Sequence, residues 1–382
     1  MSETSSHVTR LAVTAAIAVA AGLAAGWYLR AEFPALLLFS SPSIAGKKKK
    51  NKKKKSTSSA VSQDPDPISV TSTGVGDGGG PGVYETKKAI DEYVQFHFGD
   101  PQEVLPWRDG PREALRFTER CADLCAEHCK LVASGKWEIT AAEDEKGAPR
   151  SPHLQRPKKS GLALDVGCAV GGASFELTKH FRDVVGVDFS QSFVTTANLM
   201  KRVGNLQYTS VTEGTMVESR QTSALDPGID RQRVEFFVAD ACALPKSMML
   251  GGSAPADSEL FGKYGRHDAV LAANLLCRLP DPEHFLMACA RLVRPDGVLV
   301  LVSPYSWLEQ WTPKHKWLGG GGGHKSSDVI KALLESTAGG FDFVTQNDLP
   351  FLIKEHDRKF QWGVSHATVW RRRNPAVHTG EP

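Results

Sequence analysis

Three short apolar runs in the middle of this 382-residue chain end in an aspartate or are followed by one. Asp165 and Asp188 are the last residues of two such runs, and Asp240 comes two residues after a third. A buried carboxylate is costly unless it is paired, so acids at three such positions favour a ligand site over packing. Asp188 could accept hydrogen bonds from both hydroxyls of a ribose, and Asp240 is placed to meet an adenine amino group. The three acids therefore predict a site for a nucleoside-containing ligand.

A turn of small residues, Asp165-Val166-Gly167-Cys168-Ala169-Val170-Gly171-Gly172, follows the first of these runs. Two ligands compete for it, a nicotinamide dinucleotide and S-adenosylmethionine, because Gly167-x-Ala169-x-x-Gly172 is a loose version of the dinucleotide fingerprint. The acid before the first glycine, the position of Asp240 and the lack of a spare glycine after Gly172 favour S-adenosylmethionine. The predicted cofactor contacts are Asp165, Gly167, Cys168, Gly171, Asp188, Phe189, Asp240, Ala241 and Asn274.

Five apolar runs are predicted to be buried strands, because each is too short for a helix. Stretches with helical spacing alternate with them, which predicts an α/β fold with a doubly wound sheet whose ligands bind outside the carboxyl ends of the strands. The predicted strands are Leu162 to Asp165, Val184 to Val187, Val234 to Val238, Ala269 to Ala272 and Val298 to Val302. The predicted helices are Tyr84 to Phe98, Pro111 to Ser134, Ala173 to Phe181 and Pro282 to Leu292, the last ended by a turn at Arg294 to Gly297.

The seven cysteines include no C-x-x-C pair, so neither a disulfide framework nor a zinc ribbon is indicated, and a reducing compartment is expected. Cys121, Cys125 and Cys129 share one face of a predicted helix. Three thiolates in a row lack the fourth ligand of a tetrahedral zinc site, so core packing is the expected role and no metal is predicted.

The glycine-rich turn, the acidic end of the second strand and Asp240-Ala241 together resemble the class I S-adenosylmethionine-dependent methyltransferases. The resemblance implies a Rossmann-like, mostly parallel seven-stranded sheet, S-adenosyl-L-methionine as cofactor and methyl transfer as the activity. A dehydrogenase and a non-catalytic Rossmann scaffold are the alternatives.

Segments that such a fold does not need carry a narrower resemblance, to the 4-mercaptohistidine N1-methyltransferases of ovothiol biosynthesis, over about residues 83 to 371. It implies methyl transfer to an imidazole nitrogen of 4-mercaptohistidine, also called 5-thiohistidine, giving ovothiol A. Another small-molecule or histidine-containing acceptor is the alternative. The segments are Tyr93 to Gly99, Arg120 to Ala122, Ala272 to Leu275, Ser303 to Pro313, Pro350 to Gln361 and Val364 to Trp370.

For that reaction, holding nitrogen, methyl carbon and sulfur in line should supply most of the rate, and a base is optional. A base that takes the ring proton would fix the acceptor tautomer; the candidates are Glu309, Glu355 and His366. Glu355 and Arg358 could instead pair with each other, and a lone histidine is often structural. The predicted substrate contacts are Tyr93, His97, Arg278, Tyr305, Trp307, Arg358 and Lys359.

The formal net charge of +3 hides an asymmetry, since residues 1 to 60 hold ten basic residues and two acidic ones and the rest is acidic overall. An acidic body gives no reason to expect a nucleic acid as partner.

The uncharged run from Leu11 to Leu29 predicts a transmembrane anchor rather than a shorter signal peptide. The lysines from Lys47 to Lys55 predict that the catalytic domain faces the cytosol.

The chain is accordingly divided into an anchor (residues 1–35), a polylysine and Gly/Ser/Pro-rich linker (36–82), a methyltransferase domain (83–373) and a tail (374–382). Relatives of this domain commonly follow an iron-dependent sulfoxide synthase, whose metal site needs clustered histidines. Residues 1 to 82 hold only His7, so the sulfoxide synthase and lyase are expected to be separate proteins. Insertions are predicted at Thr209 to Gln232 and Ser247 to Lys263, and Gly319 to Gly323 is expected to be a lid or a spacer.

Overall fold

The computed structural model describes residues 81–133, 161–245, 267–336 and 340–374. The helices in this part of the chain are α1 (Lys87–Phe98), α2 (Pro101–Val104), α3 (Phe117–His128), α4 (Lys130–Ala133), α5 (Gly172–Leu177), α6 (Gln191–Val203), α7 (Pro282–Leu292) and α8 (Ser326–Ser336). The strands are β1 (Leu162–Val166), β2 (Asp183–Asp188), β3 (Gln207–Glu213), β4 (Met216–Gln221), β5 (Val234–Val238), β6 (His267–Ala273), β7 (Val293–Ser303), β8 (Phe341–His356) and β9 (Lys359–Arg372). Short 3-10 turns occupy Pro81–Glu85, Arg112–Ala114, Arg231–Arg233, Ala241–Ala243, Leu276–Arg278 and Lys314–Lys316.

Seven strands form one sheet in the order β5-β2-β1-β6-β7-β9-β8. The five strands from β5 to β7 pair in parallel, whereas β9 is antiparallel to β7 and β8 is antiparallel to β9. The doubly wound, mostly parallel seven-stranded sheet is therefore confirmed, and so are the five predicted strands. The order reverses between β1 and β6, which is where a sheet of this kind opens a crevice for a ligand.

Alternate residues of each parallel strand face two separate hydrophobic clusters, one on each side of the sheet. On β1, Ala163 belongs to the cluster that includes α1, α3 and α6, and Leu164 belongs to the cluster that includes α7 and α8. The prediction that Cys121, Cys125 and Cys129 pack in the core is confirmed, since all three lie in the first cluster and are at most 2% exposed. Burial raises the pKa of the Cys125 thiol, which keeps it protonated.

Several predicted element boundaries are wrong. The helix expected over Tyr84 to Phe98 begins at Lys87, and the one expected over Ala173 to Phe181 ends at Leu177. The helix expected over Pro111 to Ser134 is divided, because Arg116 adopts a left-handed conformation with φ of 52° and α3 starts after it. The turn expected at Arg294 to Gly297 lies inside β7, which begins at Val293. The pairing of β7 with β6 shifts register there, and Asp296 has φ of 65°, so the strand absorbs the turn as an irregularity.

The predicted insertion at Thr209 to Gln232 contains the β3–β4 hairpin, which forms its own two-stranded sheet. Its Thr212 carbonyl accepts a hydrogen bond from the Asp357 backbone N–H, which ties the hairpin to the end of β8.

The glycine run from Gly319 to Gly323 is a closed turn in which the Gly320 N–H donates to the His324 carbonyl at 2.9 Å. Four of its five glycines have positive φ, a conformation that other residues adopt at a cost.

The predicted anchor at Leu11 to Leu29, nearly all of the linker and tail, and the insertion at Ser247 to Lys263 lie outside the described residues. Among the helices that are described, none has the length and apolar character needed to cross a bilayer.

Two phenylalanines test the packing of the sheet against the helices. Phe175 is fully buried on α5, against the rings of Phe98 and Phe236. Phe175→Ala should lower the free energy of unfolding by roughly 3–5 kcal/mol, because it removes a fully buried ring and leaves a cavity. Phe189→Ala is the matched control, since the Phe189 ring is 67% exposed and should matter little for stability. Equal losses for the two variants in urea unfolding would contradict the described core.

Candidate active site

A cavity of about 360 Å³ lies at the carboxyl ends of the parallel strands. Its size falls in the range of about 300–1,000 Å³ that is usual for small-molecule sites. The residues that follow β1, β2, β5 and β6 form one half of its wall, as the strand order predicts. All the predicted cofactor contacts except Gly171 line it, namely Asp165, Gly167, Cys168, Asp188, Phe189, Asp240, Ala241 and Asn274.

Gly171 lies behind the cavity wall, which corrects its assignment as a cofactor contact. It has φ of 92°, and a Cβ atom on it would lie 2.6 Å from the Phe236 ring. Glycine is therefore required at this position by the backbone and by packing against β5, rather than by the ligand.

The turn after β1 is held in place by β2. The N–H groups of Gly167 and Cys168 both donate to the Val187 carbonyl, at 2.8 and 3.0 Å. The Ala169 N–H donates to Oδ2 of Asp188 at 2.9 Å, although Ala169 must adopt φ of 47° to do so. These bonds fix the small-residue turn against the cavity before any ligand enters.

The Asp188 carboxylate is positioned by backbone groups on both of its oxygens. Oδ2 accepts the Ala169 N–H, and Oδ1 accepts the Ser190 N–H at 2.9 Å. Each carboxylate oxygen has a second lone-pair site, so two ribose hydroxyls can still be accepted. Burial raises the pKa of Asp188, and the backbone N–H groups of Ser190 and Ala169 oppose this effect.

Asp165 is the more deeply buried acid of the site, with 1% of its surface exposed. Its Oδ2 accepts the Ser174 hydroxyl at 2.6 Å. Burial raises the pKa of Asp165 to about 7, the Ser174 hydrogen bond opposes the rise, and the Asp188 carboxylate adds to it. Without a cation nearby, Asp165 therefore titrates near neutral pH.

Asp240 and Phe189 add a carboxylate and an exposed ring to the cofactor half of the cavity wall. Oδ1 of Asp240 accepts the Cys242 N–H at 2.8 Å, and Oδ2 can accept an adenine amino group. Phe189 exposes 67% of its surface directly after Asp188, which suits a ring that stacks on a planar base.

Asn274 connects the cavity to the C-terminal strands. Its backbone has φ of 52°, and its Oδ1 accepts the Ser365 hydroxyl at 2.7 Å. Ser365 lies on β9, within the segment Val364 to Trp370 of the narrower resemblance, so this bond joins that segment to the cofactor side of the site.

The other half of the cavity is mostly aromatic and apolar. The predicted substrate contacts Tyr93, His97 and Arg278 line it. Nη1 of Arg278 donates to the Ser306 carbonyl at 2.7 Å and to the Cys277 carbonyl at 3.0 Å, so the guanidinium is held at the wall. Sequence reasoning missed further wall residues: Tyr84, Phe96, Phe117, Thr118, Cys121 and Ile353.

A sequence signal for part of this wall was available. Tyr93, Phe96 and His97 are three and four residues apart on α1, so they share one helix face. Trp311, which lies in the segment Ser303 to Pro313 of the narrower resemblance, also lines the cavity, and its ring centre lies 5.1 Å from that of Tyr84.

The three predicted bases do not line the cavity, which corrects that assignment. Glu309 is exposed in the segment after β7. Glu355 forms an ion pair with Lys359 at 2.7 Å. His366 has both ring nitrogens engaged, with the Tyr305 hydroxyl 2.8 Å from Nδ1 and Oε1 of Gln346 3.2 Å from Nε2. Glu309 therefore faces solvent, whereas Glu355 and His366 contact other side chains of the protein.

Four predicted substrate contacts also lie away from the cavity wall. Trp307 is 8% exposed and donates from Nε1 to the Ser326 hydroxyl at 3.0 Å, so it belongs to the core. The guanidinium of Arg358 lies 5.8 Å from the centre of the Trp107 ring. The other two are engaged as described above: Tyr305 with His366, and Lys359 with Glu355. The expected pairing of Glu355 with Arg358 is replaced by that last ion pair.

The middle of the chain is similar in sequence to methyltransferases. Residues 164–299 match a family model described as a methyltransferase domain. A ubiquinone biosynthesis O-methyltransferase of Psychrobacter cryohalolentis is 26% identical over 155 residues, which cover 40% of this chain and 45% of that protein. The chain therefore spans less than half the length of this curated relative.

Solved structures also resemble the chain, at low sequence identity. One is magnesium protoporphyrin IX methyltransferase from Synechocystis PCC 6803 with bound SAH, at 16% identity, 76% coverage of this chain, 97% of that chain and a TM-score of 0.40. The other is the [4+2]-cyclase SpnF, at 14% identity, 76% and 94% coverage and a TM-score of 0.40.

The family-model match confirms the prediction of a methyltransferase domain, and with it S-adenosyl-L-methionine as the cofactor. The match spans β1 to β7, the strands whose ends carry the acids of the cavity. In the described part of the chain, no group of three or more His, Cys, Asp or Glu side chains could hold a metal ion.

The two ends of β2 allow a matched test of the cofactor side. Asp188→Asn should weaken S-adenosylhomocysteine binding by about 1.5–3 kcal/mol, because it removes a charged hydrogen-bond acceptor from the ribose position. Asp183→Asn, at the other end of the strand and paired with Arg182, should leave the affinity unchanged. Titration calorimetry measures both, and an unchanged dissociation constant for Asp188→Asn would remove Asp188 from the site.

The raised pKa of Asp165 predicts a pH-dependent affinity for the cationic cofactor. Below its pKa of about 7 the side chain is neutral and offers no charge to S-adenosylmethionine; above it the carboxylate attracts the ligand. Binding should therefore weaken as the pH falls from 8 to about 6 and should release protons near pH 7. Calorimetry in two buffers of different ionisation enthalpy measures that release. A release that is equally large in Asp165→Asn would contradict the assignment.

Proposed function

We propose that this protein is an S-adenosylmethionine-dependent N-methyltransferase that methylates an imidazole nitrogen of 4-mercaptohistidine, giving ovothiol A. The observation that carries the proposal is the continuity of the cavity. The acids at the strand ends and the aromatic side chains of α1 and α3 line the same enclosed space. A methyl donor held by the acids would point its sulfonium carbon toward a ring held by the aromatic wall.

The reaction needs no covalent help from the protein. The lone pair of the ring nitrogen forms the new N–C bond while the C–S bond breaks, and its electron pair returns to sulfur as neutral S-adenosylhomocysteine. The methylated ring then loses one proton to solvent. Alignment of nitrogen, carbon and sulfur is the main requirement, which a rigid aromatic slot supplies. The absence of Glu309, Glu355 and His366 from the cavity wall fits a reaction in which a base is optional.

The polar groups of the acceptor half suit a small amino acid with a flat ring. Among the described residues that line the cavity, Arg278 is the one cation, and it can pair with an amino-acid carboxylate. The rings of Phe96 and Phe117 lie in a stacked arrangement with centres 5.8 Å apart and form an apolar part of the same cavity wall. The Asn274–Ser365 hydrogen bond further supports the proposal, because it brings the segment of narrower resemblance to the cavity.

A second candidate is methyl transfer to a hydroxyl of an aromatic ring. The apolar lining of the acceptor half favours it, and so does the O-methyltransferase activity named for the curated relative. This candidate differs from the first in needing no cation for an amino-acid carboxylate.

The wider setting is also proposed. The enzyme would be tethered to a membrane by Leu11 to Leu29 with its catalytic domain facing the cytosol. It would receive its thiolated imidazole from a separate sulfoxide synthase and lyase.

An acceptor panel tests the proposal. The full chain, incubated with labelled S-adenosylmethionine, should methylate a ring nitrogen of 4-mercaptohistidine and should leave histidine and a catechol unlabelled. Mass spectrometry and NMR of the product locate the methyl group, and Asp188→Asn serves as the cofactor-deficient control. Label on the catechol alone would replace the first candidate by the second, and label on no acceptor would refute both.

A further inference from the structure

His97 makes an unusual contact with the first residue of α5. The Gly172 N–H donates to Nδ1 of His97 at 3.0 Å. A Cβ atom on Gly172 would lie 2.6 Å from that nitrogen and 2.9 Å from Cβ and Cγ of His97, so only glycine allows the approach. One edge of the imidazole is therefore packed against the backbone of the cofactor-side turn.

This contact fixes the tautomer of the ring. A nitrogen that accepts a backbone N–H carries no proton, so the proton of the neutral imidazole must be on Nε2. Burial lowers the pKa of His97 to about 3, which keeps the ring neutral at physiological pH. His97 is thus a donor at Nε2 and has no lone pair to offer there.

The Nε2 edge is the part of the ring that is left to face the cavity. His97 lines the cavity and is half-buried. The ring is surrounded by aromatic side chains, with the ring centres of Phe96, Tyr93 and Phe98 at 5.3, 5.9 and 5.9 Å from that of His97. Nε2 has no hydrogen-bond partner within residues 81–133, 161–245, 267–336 and 340–374. A directed N–H in apolar surroundings is a strong determinant of which ligand atom lies beside it.

A mercaptoimidazole presents two competing nucleophiles, the ring nitrogen and the sulfur. The nitrogen that attacks the methyl carbon must keep its lone pair free, so an N–H donor cannot bind it. The sulfur is the other electron-rich atom and, as a thiolate, is intrinsically very nucleophilic. An enzyme that methylates nitrogen must therefore hold the sulfur away from the methyl group of S-adenosylmethionine and reduce the reactivity of the sulfur.

We propose that His97 donates its Nε2–H to the sulfur of the acceptor and thereby directs methylation to the ring nitrogen. His97 is in this sense a chemoselectivity residue: it occupies a sulfur lone pair and orients the ring, and it takes no proton. The proposal rests on the proposed function, since it requires a thiol-bearing imidazole as substrate.

Two variants separate the two edges of the ring. Asparagine can still accept the Gly172 N–H but does not reach the Nε2 position, whereas glutamine can place an N–H donor near Nε2. His356→Asn is the matched control, because Nδ1 of His356 also accepts a backbone N–H, from Arg358 at 3.3 Å, and His356 is not among the residues that line the cavity.

The test measures the ratio of S-methyl to N-methyl product formed from 4-mercaptohistidine by the full-length protein. His97→Asn should raise this ratio about tenfold or more, the scale expected for loss of a hydrogen bond to a charged group. His97→Gln should restore much of the nitrogen selectivity, and His356→Asn should match the wild type. The urea-unfolding midpoints of all three variants should stay close to that of the wild type, which shows that the variants are folded.

The possible failures are distinguishable. If the wild type methylates nitrogen and His97→Asn keeps the same product ratio, the role of His97 is refuted and the proposed function stands. If the wild type leaves 4-mercaptohistidine unmethylated, the proposed function fails and this inference fails with it. Should His97→Asn not fold, ¹⁵N-histidine NMR of the wild type decides: Nδ1 must be unprotonated, and the Nε2–H signal must shift when the thiol binds but not when histidine binds. A protonated Nδ1 would overturn the proposal.

Discussion

The site depends on the way the Asp188 carboxylate joins two loops that come from different strands. One oxygen accepts an N–H from the turn after β1, and the other accepts an N–H from the start of α6. Both loops would otherwise have backbone donors facing a cavity, where an unsatisfied donor is costly. Because the same carboxylate keeps lone pairs for a ribose, the interaction that closes the local structure also prepares the binding site.

The aromatic half of the cavity has a different origin. Most of its aromatic side chains come from the turn before α1, from α1 and from α3, which precede β1 in the chain and pack on the first hydrophobic cluster. The 3-10 turn before α1 is fastened to α6, since the Ser190 hydroxyl donates to the Tyr84 carbonyl at 3.3 Å and Glu85 accepts the Ser192 N–H at 3.1 Å. Most of the acceptor wall thus precedes the cofactor wall in the chain, and the two are joined at the start of α6. Acceptor specificity can therefore diverge while the strand ends stay the same.

The cofactor side and the acceptor side of the cavity differ in how well the sequence predicts them. The strands and their acids were predictable, because short apolar runs have a local signature and an acid at the end of a buried run has few structural uses. The acceptor side was predicted less well, because it depends on long-range packing. Trp307 and His366 have residue types suited to a ring-binding wall, yet Trp307 packs in the core and His366 bonds to Tyr305 and Gln346 on β8. Phe117 and Ile353 carry no local sign of ligand contact, since an apolar residue in a helix or strand usually packs in a core.

The ionisable groups of the cavity suit a cationic cofactor. Burial raises the pKa of Asp165 and Asp188 and lowers that of His97, so burial favours the neutral form of each group. S-adenosylmethionine brings a sulfonium charge, which favours the ionised acids and offsets the cost of their burial. Methyl transfer removes that charge and leaves S-adenosylhomocysteine beside carboxylates that are again poorly compensated.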